Sequence, residues 1–166
     1  MKKESKISTL YVVIPCYNEE EVLEETTKQL KKKIEKLIKD KKISGKSKVM
    51  YVNDGSKDNT WSLIKKINEK ETLFTGITLS RNRGHQNALL AGLMTAKKYA
   101  DVVISMDADL QDDINAMDEM IEKYNNGKDI VYGVRSSRKK DTWFKKTTAQ
   151  RFYKFMKMMG VDVVYN

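Results

Sequence analysis

The stretch TLYVVIPCYNEE, residues 9–20, sets a β-rich apolar run directly against a polar cluster. Three later stretches repeat that grammar: VMYVNDGSKDN (49–59), FTGITLSRNRGH (74–85) and DVVISMDADLQDD (101–113). Each apolar run has the length of a strand, and each is followed by an amphipathic segment long enough for a helix. The first helix is predicted from Glu19 to Lys39, with Asn18 as its cap and Glu19, Glu20 and Glu21 at its positive end. Leu23, Leu30, Ile34, Leu37 and Ile38 share its apolar face. A second helix starts at Asp58 or Asn59 and carries Trp61, Ile64 and Ile67. A third is rich in small residues (Ala88, Ala91, Gly92, Ala96), and a fourth spans 113–127, with Gly127 as its stop. DIVYGV (129–134) reads as a fifth strand, and residues 147–159 as a last helix.

Strands separated by helices imply right-handed βαβ crossovers. The fold class is therefore α/β, a Rossmann-like, mainly parallel sheet with helices on both faces. Such sheets bind ligands beyond the carboxyl ends of their strands. CYNEE, NDGSKDN, SRNRGH and DADLQDD each follow a strand, so four polar loops gather on one edge.

Length and composition fit a single soluble domain over residues 1–166, with 40% hydrophobic and 33% charged residues. The first apolar run stops at Pro15, and no stretch approaches ~18 consecutive apolar residues, so no spanning helix or secretory signal is predicted. The single cysteine, Cys16, excludes an internal disulfide and fits a reducing, cytoplasmic setting as a buried thiol. The net charge of +9 is concentrated: residues 135–157 hold nine Lys/Arg against Asp141 alone. Such a segment suits phosphates, nucleic acid or an anionic membrane surface, and equally a solvated face.

Asp107, Asp109 and Gln111 are spaced by two, so they share a face if the chain leaves its strand extended. Two carboxylates and an amide oxygen are hard ligands suited to Mg²⁺ or Mn²⁺. Asp112 and Asp113 precede the next helix and read as caps. Asp54 either accepts hydrogen bonds from a base or ribose or forms an Asx-turn. His85, the only histidine, either meets a phosphate or simply opens its helix, and no second His or Cys supports a zinc site.

Assembled in order, VVIPCYNEE, VNDGSKDNT, LSRNRGHQNALLAG and MDADLQD resemble the successive motifs of family 2 glycosyltransferases with the GT-A fold, over residues 8–160. VYGVRSSRKKDTWFKK is similar to the polyprenyl-phosphate branch, which includes bactoprenol glucosyltransferases and dolichyl-phosphate mannose synthases. The resemblance implies an inverting, metal-dependent transfer of a hexose from a nucleotide sugar, with a UDP-sugar favoured, to a polyprenyl phosphate. It implies that Pro15, Tyr17, Asn18, Glu19 and Asp54 line the nucleotide pocket, with Arg81, Asn82 and Gly84 flanking it. It further implies that Asp107 contacts the donor or supports the metal, that Asp109 and Gln111 ligate Mg²⁺ or Mn²⁺, and that Arg135 lies near the phosphates. Where the branch has two prolines after LQD, this chain has Asp113-Ile114. The branch also continues into a C-terminal acceptor and membrane part, so the chain is expected to be the catalytic domain of a protein working at the inner face of the cell membrane.

The apolar stripe Phe152, Phe155, Met156 and Met159, flanked by Arg151, Lys154 and Lys157, is expected either to pack on the core or to lie at an anionic bilayer. In an incomplete chain that stripe could also drive oligomerisation. Alternatives are transfer to a saccharide hydroxyl and a non-catalytic nucleotide-sugar-binding fragment. A nucleotidyltransferase lacks its glycine-rich basic signature here. A nucleic-acid binder lacks interleaved surface aromatics, so no nucleic acid is expected.

Overall fold

A computed structural model describes residues 7–133. Four strands, β1 (Leu10–Cys16), β2 (Lys48–Asn53), β3 (Phe74–Thr78) and β4 (Val102–Ser105), alternate with helices α1 (Leu23–Lys39), α2 (Thr60–Lys70), α3 (His85–Ala96) and α4 (Ala116–Asn125). All neighbouring strands pair parallel, in the order β3-β2-β1-β4. The chain winds outward from β1 through β2 to β3, then returns to the other side of β1 as β4. The direction of winding therefore reverses between β1 and β4, and ligands of open α/β sheets bind at such a crevice.

Strand periodicity divides the core into two layers. Leu10, Val12, Ile14 and Cys16 join Val49, Tyr51 and Phe74 beneath Leu23, Leu30, Ile34 and Leu37 of α1, Ile64 of α2, and Met117 and Ile121 of α4. Tyr11, Val13, Met50 and Val52 face α3 through Ala88 and Ala96. The small residues of α3 are what let it lie so close. A Cβ on Gly92 would run into the side chains of Val13 and Val52. Burial pushes the Cys16 thiol pKa up, as expected of a structural thiol.

Pro15 explains why the β1–β4 crevice opens. β1 pairs with β4 only from Leu10 to Val13, whereas its pairing with β2 continues to Cys16. The Met106 N–H bonds the Val13 carbonyl at 3.2 Å, closing that ladder. Pro15, two residues on along the same side of β1, has no N–H with which to extend it.

Two boundaries differ from expectation. α1 begins at Leu23 rather than Glu19, because Asn18 takes a left-handed backbone (φ 55°) and residues 19–22 form a turn closed by the Leu23 N–H on the Glu19 carbonyl. Asn18 is therefore not the helix cap. Residues 129–133 form no strand: Ile130 and Tyr132 are 71% and 81% exposed, and no ladder joins them to β4. A groove of about 970 Å³ runs instead along the outer edge of β4, against α4 and residues 128–133. Residues 135–157, including Arg135, and the predicted helix 147–159 lie outside the described residues. Among the described residues, no helix is long and apolar enough to cross a membrane.

An ion cluster ties α4 to α1: Asp118 accepts from Lys33 and, at 2.8 Å, from Lys42. These hydrogen bonds, Lys33's first, hold the Asp118 carboxyl down at about 2. Its ordinary value is ~3.9, so the cluster stabilises the fold fully above pH ~4 and loses its contribution as pH falls through the folded value. With the side chain 33% exposed, solvent screening holds the effect to about 1 kcal/mol. Asp118→Asn is expected to lower stability by about that amount at pH 7. In urea titrations the difference from the parent should close as pH falls from ~4 toward 2. A difference that does not vary with pH would contradict this.

Candidate functional site

The loop after β1 is fastened to the loop after β2 by side chains that satisfy backbone groups. The Asn18 amide donates to Ser56 Oγ at 3.0 Å, and Asn18 Oδ1 accepts the Lys57 N–H at 2.9 Å. The amides of Glu19 and Glu20 donate to Thr60 Oγ1 (2.8 Å) and Asp58 Oδ2 (3.2 Å), while Glu20 Oε2 accepts the Asn59 N–H at 2.9 Å. These bonds hold the first loop against the second in the turn that follows left-handed Asn18, ahead of the start of α1 at Leu23.

Asp54 joins the β2 loop to the loop before α3. It is 2% exposed, and its two carboxylate oxygens accept the backbone N–H groups of Arg83 (2.7 Å) and Gly84 (2.9 Å). Its own amide donates to the Cys16 carbonyl at 2.9 Å. At the next residue the two loops touch backbone to backbone. Gly55 has φ 65°, and a Cβ there would collide with Arg81 and Asn82. Asp54 thus forms a tie between loops, a role distinct from both the base or ribose contact and the local Asx-turn expected of it.

At the end of β4 the chain turns instead of running on extended. Ala108 and Asp109 form a turn, Leu110 is left-handed (φ 57°), and Asp109 Oδ1 accepts the Gln111 N–H at 3.0 Å. The premise of an extended 107–111 segment therefore fails after Asp107. Asp107, Asp109 and Gln111 are nonetheless all exposed, with Met106 and Ala108 buried between and beside the acids. His85 Nε2, from the start of α3, stands 3.8 Å from Asp107 Oδ1. This juxtaposition of the third and fourth loops was not legible from spacing.

The acids of the first, second and fourth loops act on one another electrostatically. Burial raises the Glu19 pKa, and the carboxylates of Asp109, Asp58 and Asp107 raise it further. Among the described residues, no three His, Cys, Asp or Glu side chains form a complete metal centre. A hard divalent ion held by one or two carboxylates takes its remaining ligands from phosphate and water. Asp107 and Asp109, exposed at the crevice mouth, fit that arrangement.

The remaining predicted positions fall around the same edge. Pro15 is buried within β1, Tyr17 is exposed just past it, and Arg81, Asn82 and Gly84 are exposed in the loop before α3. Asn82 Oδ1 shares the Gly84 N–H at 3.0 Å. Asp113 does not cap α4, whose N-cap is Asn115 with no side-chain cap bond; its Oδ1 instead accepts the Asn115 N–H at 2.9 Å in the turn that leads into the helix. Thr26 was missed. It occupies an apolar register position of α1 (23, 26, 30, 34, 37), and that mismatch was its sequence signal.

A model of glycosyl transferase family 2 matches residues 11–163, so the chain belongs to that family. It is 50% identical, over its whole length, to an uncharacterized glycosyltransferase, YkoT, of Bacillus subtilis, covering 49% of that protein. It is 37% identical over 86% of its length to a prophage bactoprenol glucosyl transferase homolog of Escherichia coli, covering 44% of that protein. The chain thus spans about half the length of the curated relatives it matches. A mannosyltransferase from Pyrobaculum calidifontis, solved with GDP-Man and Mn2+, shares the GT-A fold at TM-score 0.50 and 24% identity, over 65% of this chain and 31% of that one.

Asp54→Asn leaves one oxygen for two amides and sets an NH₂ against the other. The expected loss is about 2 kcal/mol, the scale of a hydrogen bond to a charged group. Hydrogen exchange at the Arg83 and Gly84 amides should accelerate. Unchanged exchange at both amides would mean that Asp54 does not hold this loop.

Proposed function

We propose that this chain binds a nucleoside-diphosphate sugar in the β1–β4 crevice and belongs to a transferase that passes the hexose to a polyprenyl phosphate, with inversion. The observation that carries the reading is the exposure of Asp107 and Asp109 just past β4, with His85 of the third loop 3.8 Å from Asp107, at the topological switch point of the sheet. Support for the acceptor comes from the bactoprenol glucosyl transferase relative, and support for a divalent cation from the Mn2+-bound neighbour.

Tyr17, Asn18 and Glu19 would line the nucleotide on the β1 side, with Arg81, Asn82 and Gly84 opposite. Asp54 would support the base from beneath through the loop it holds. Asp107, Asp109 and the Gln111 side chain would hold Mg²⁺ or Mn²⁺. Once bound, that ion would neutralise the charge that grows on the departing diphosphate. Arg135 is assigned to the same phosphates through the resemblance of its motif. A phosphomonoester has a second pKa near ~6 and arrives largely anionic, so attack needs no strong base from the protein. A saccharide hydroxyl would need one. In the longer protein, residues 135–157 would meet the anionic cytoplasmic face of the membrane.

Calorimetric titration with UDP-glucose, UDP-N-acetylglucosamine and GDP-mannose, each with and without Mn²⁺, tests the donor half. One donor, expected to be a UDP-sugar, should bind with a metal-dependent gain that Asp109→Ala reduces by about tenfold or more, the scale of one charged contact. A gain that survives in Asp109→Ala would remove that residue from the metal site. For the acceptor half, the longer protein should release nucleoside diphosphate with a polyprenyl phosphate. Release with a saccharide alcohol alone would overturn the assignment.

A further inference from the structure

Ala108 is the one residue between the two site aspartates, and its carbonyl is held from α1. Thr26, in the first turn of α1, is completely buried, and its Oγ1 lies 2.7 Å from the Ala108 carbonyl oxygen. The same hydroxyl lies 2.9 Å from the Val22 carbonyl, the usual acceptor for a helical threonine. A hydroxyl has one proton to give. The Val22 carbonyl already accepts the Thr26 backbone N–H at 3.0 Å, whereas Ala108 is buried in a turn. The shorter bond, to Ala108, is therefore where the proton is best used. Thr26 stands where the register of α1 calls for an apolar residue, and a hydroxyl buried there without a partner would be costly.

We infer that Thr26 is a positioning residue for the acid pair: by gripping the Ala108 carbonyl from α1, it fixes the turn that aims Asp107 and Asp109 at the donor diphosphate. The inference rests on the donor-binding reading above. The nucleotide itself would lie against the loops after β1, β2 and β3, which have their own ties. Loosening the β4 turn should therefore weaken metal-assisted binding and spare metal-free binding.

The test compares Thr26→Val, which keeps the shape and removes the hydroxyl, with Thr26→Ser, which restores it; Thr26→Ala serves if the valine variant does not fold. Two readouts are taken. In the metal-free chain, hydrogen exchange at the Gln111 amide, which closes the turn on Asp109, should accelerate in the valine variant and return to the parent rate in the serine variant. In calorimetric titration with UDP, the valine variant should keep its metal-free affinity within about twofold. Its Mn²⁺-dependent gain should fall by about tenfold or more, the scale seen when a group that orients metal ligands is removed. The serine variant should recover that gain. A valine variant of lower thermal stability that keeps both the Mn²⁺ gain and the parent exchange rate at Gln111 would show a merely structural hydroxyl and overturn the inference. So would a serine variant that recovers neither. A parent chain with no Mn²⁺-dependent gain would fell the donor-site reading itself, a failure visible before any variant is made.

Discussion

Where β4 parts from β1 decides what the rest of the molecule can do. The two strands share a ladder to Val13, and the bond from the Met106 amide to the Val13 carbonyl is its last rung. Beyond that rung Pro15 offers no donor on the β4 side, while β1 stays registered with β2 through Cys16. One strand is thus held on one flank and released on the other. The released flank coincides with the reversal of strand order, so the crevice forms where an open α/β sheet is able to take a ligand.

A crevice alone would leave four floppy loops around it, and the polar residues of those loops spend much of their hydrogen-bonding capacity on one another's backbone. Asn18, Ser56, Asp58 and Thr60 join the first loop to the second, and Asp54 joins the second to the third. The fourth is held from α1 by Thr26. Residues involved in these ties can position a donor without sharing all their polar atoms with it. The exposed carboxylates of Asp107 and Asp109 are of the opposite kind. Burial raises the Glu19 pKa first, and these carboxylates together with Asp58 raise it further, an electrostatic cost that a divalent ion with a diphosphate would relieve.

The alternation of strands and helices, the parallel sheet and the edge that gathers the polar loops were legible in the sequence, because they follow from local periodicity and from the polar run that ends each strand. The leucines and isoleucines of α1 and the small residues of α3 fell where their spacing put them. What was not legible depends on partners far along the chain. Asn18 looks like a helix cap locally, yet its side chain serves Lys57. Thr26 looks like a flaw in an apolar stripe until the Ala108 carbonyl, 82 residues away, is brought against it. The Asp107–Gln111 spacing suggested an extended ligand strand, but the Asp109 side chain bonds the Gln111 amide and turns the chain. DIVYGV carries strand-like residues, and among the described residues β4 gives them no ladder.

The central claim is that the acids at the β1–β4 crevice receive a cation together with a nucleoside diphosphate. Paramagnetic broadening of backbone amide signals on adding Mn²⁺ to the UDP-bound chain tests it most directly. The account predicts broadening centred on Asp107 and Asp109, extending to Glu19 and to the loop at Gly84. Broadening centred on Asp118 and the α1–α4 seam, or spread evenly over the surface acids, would contradict it.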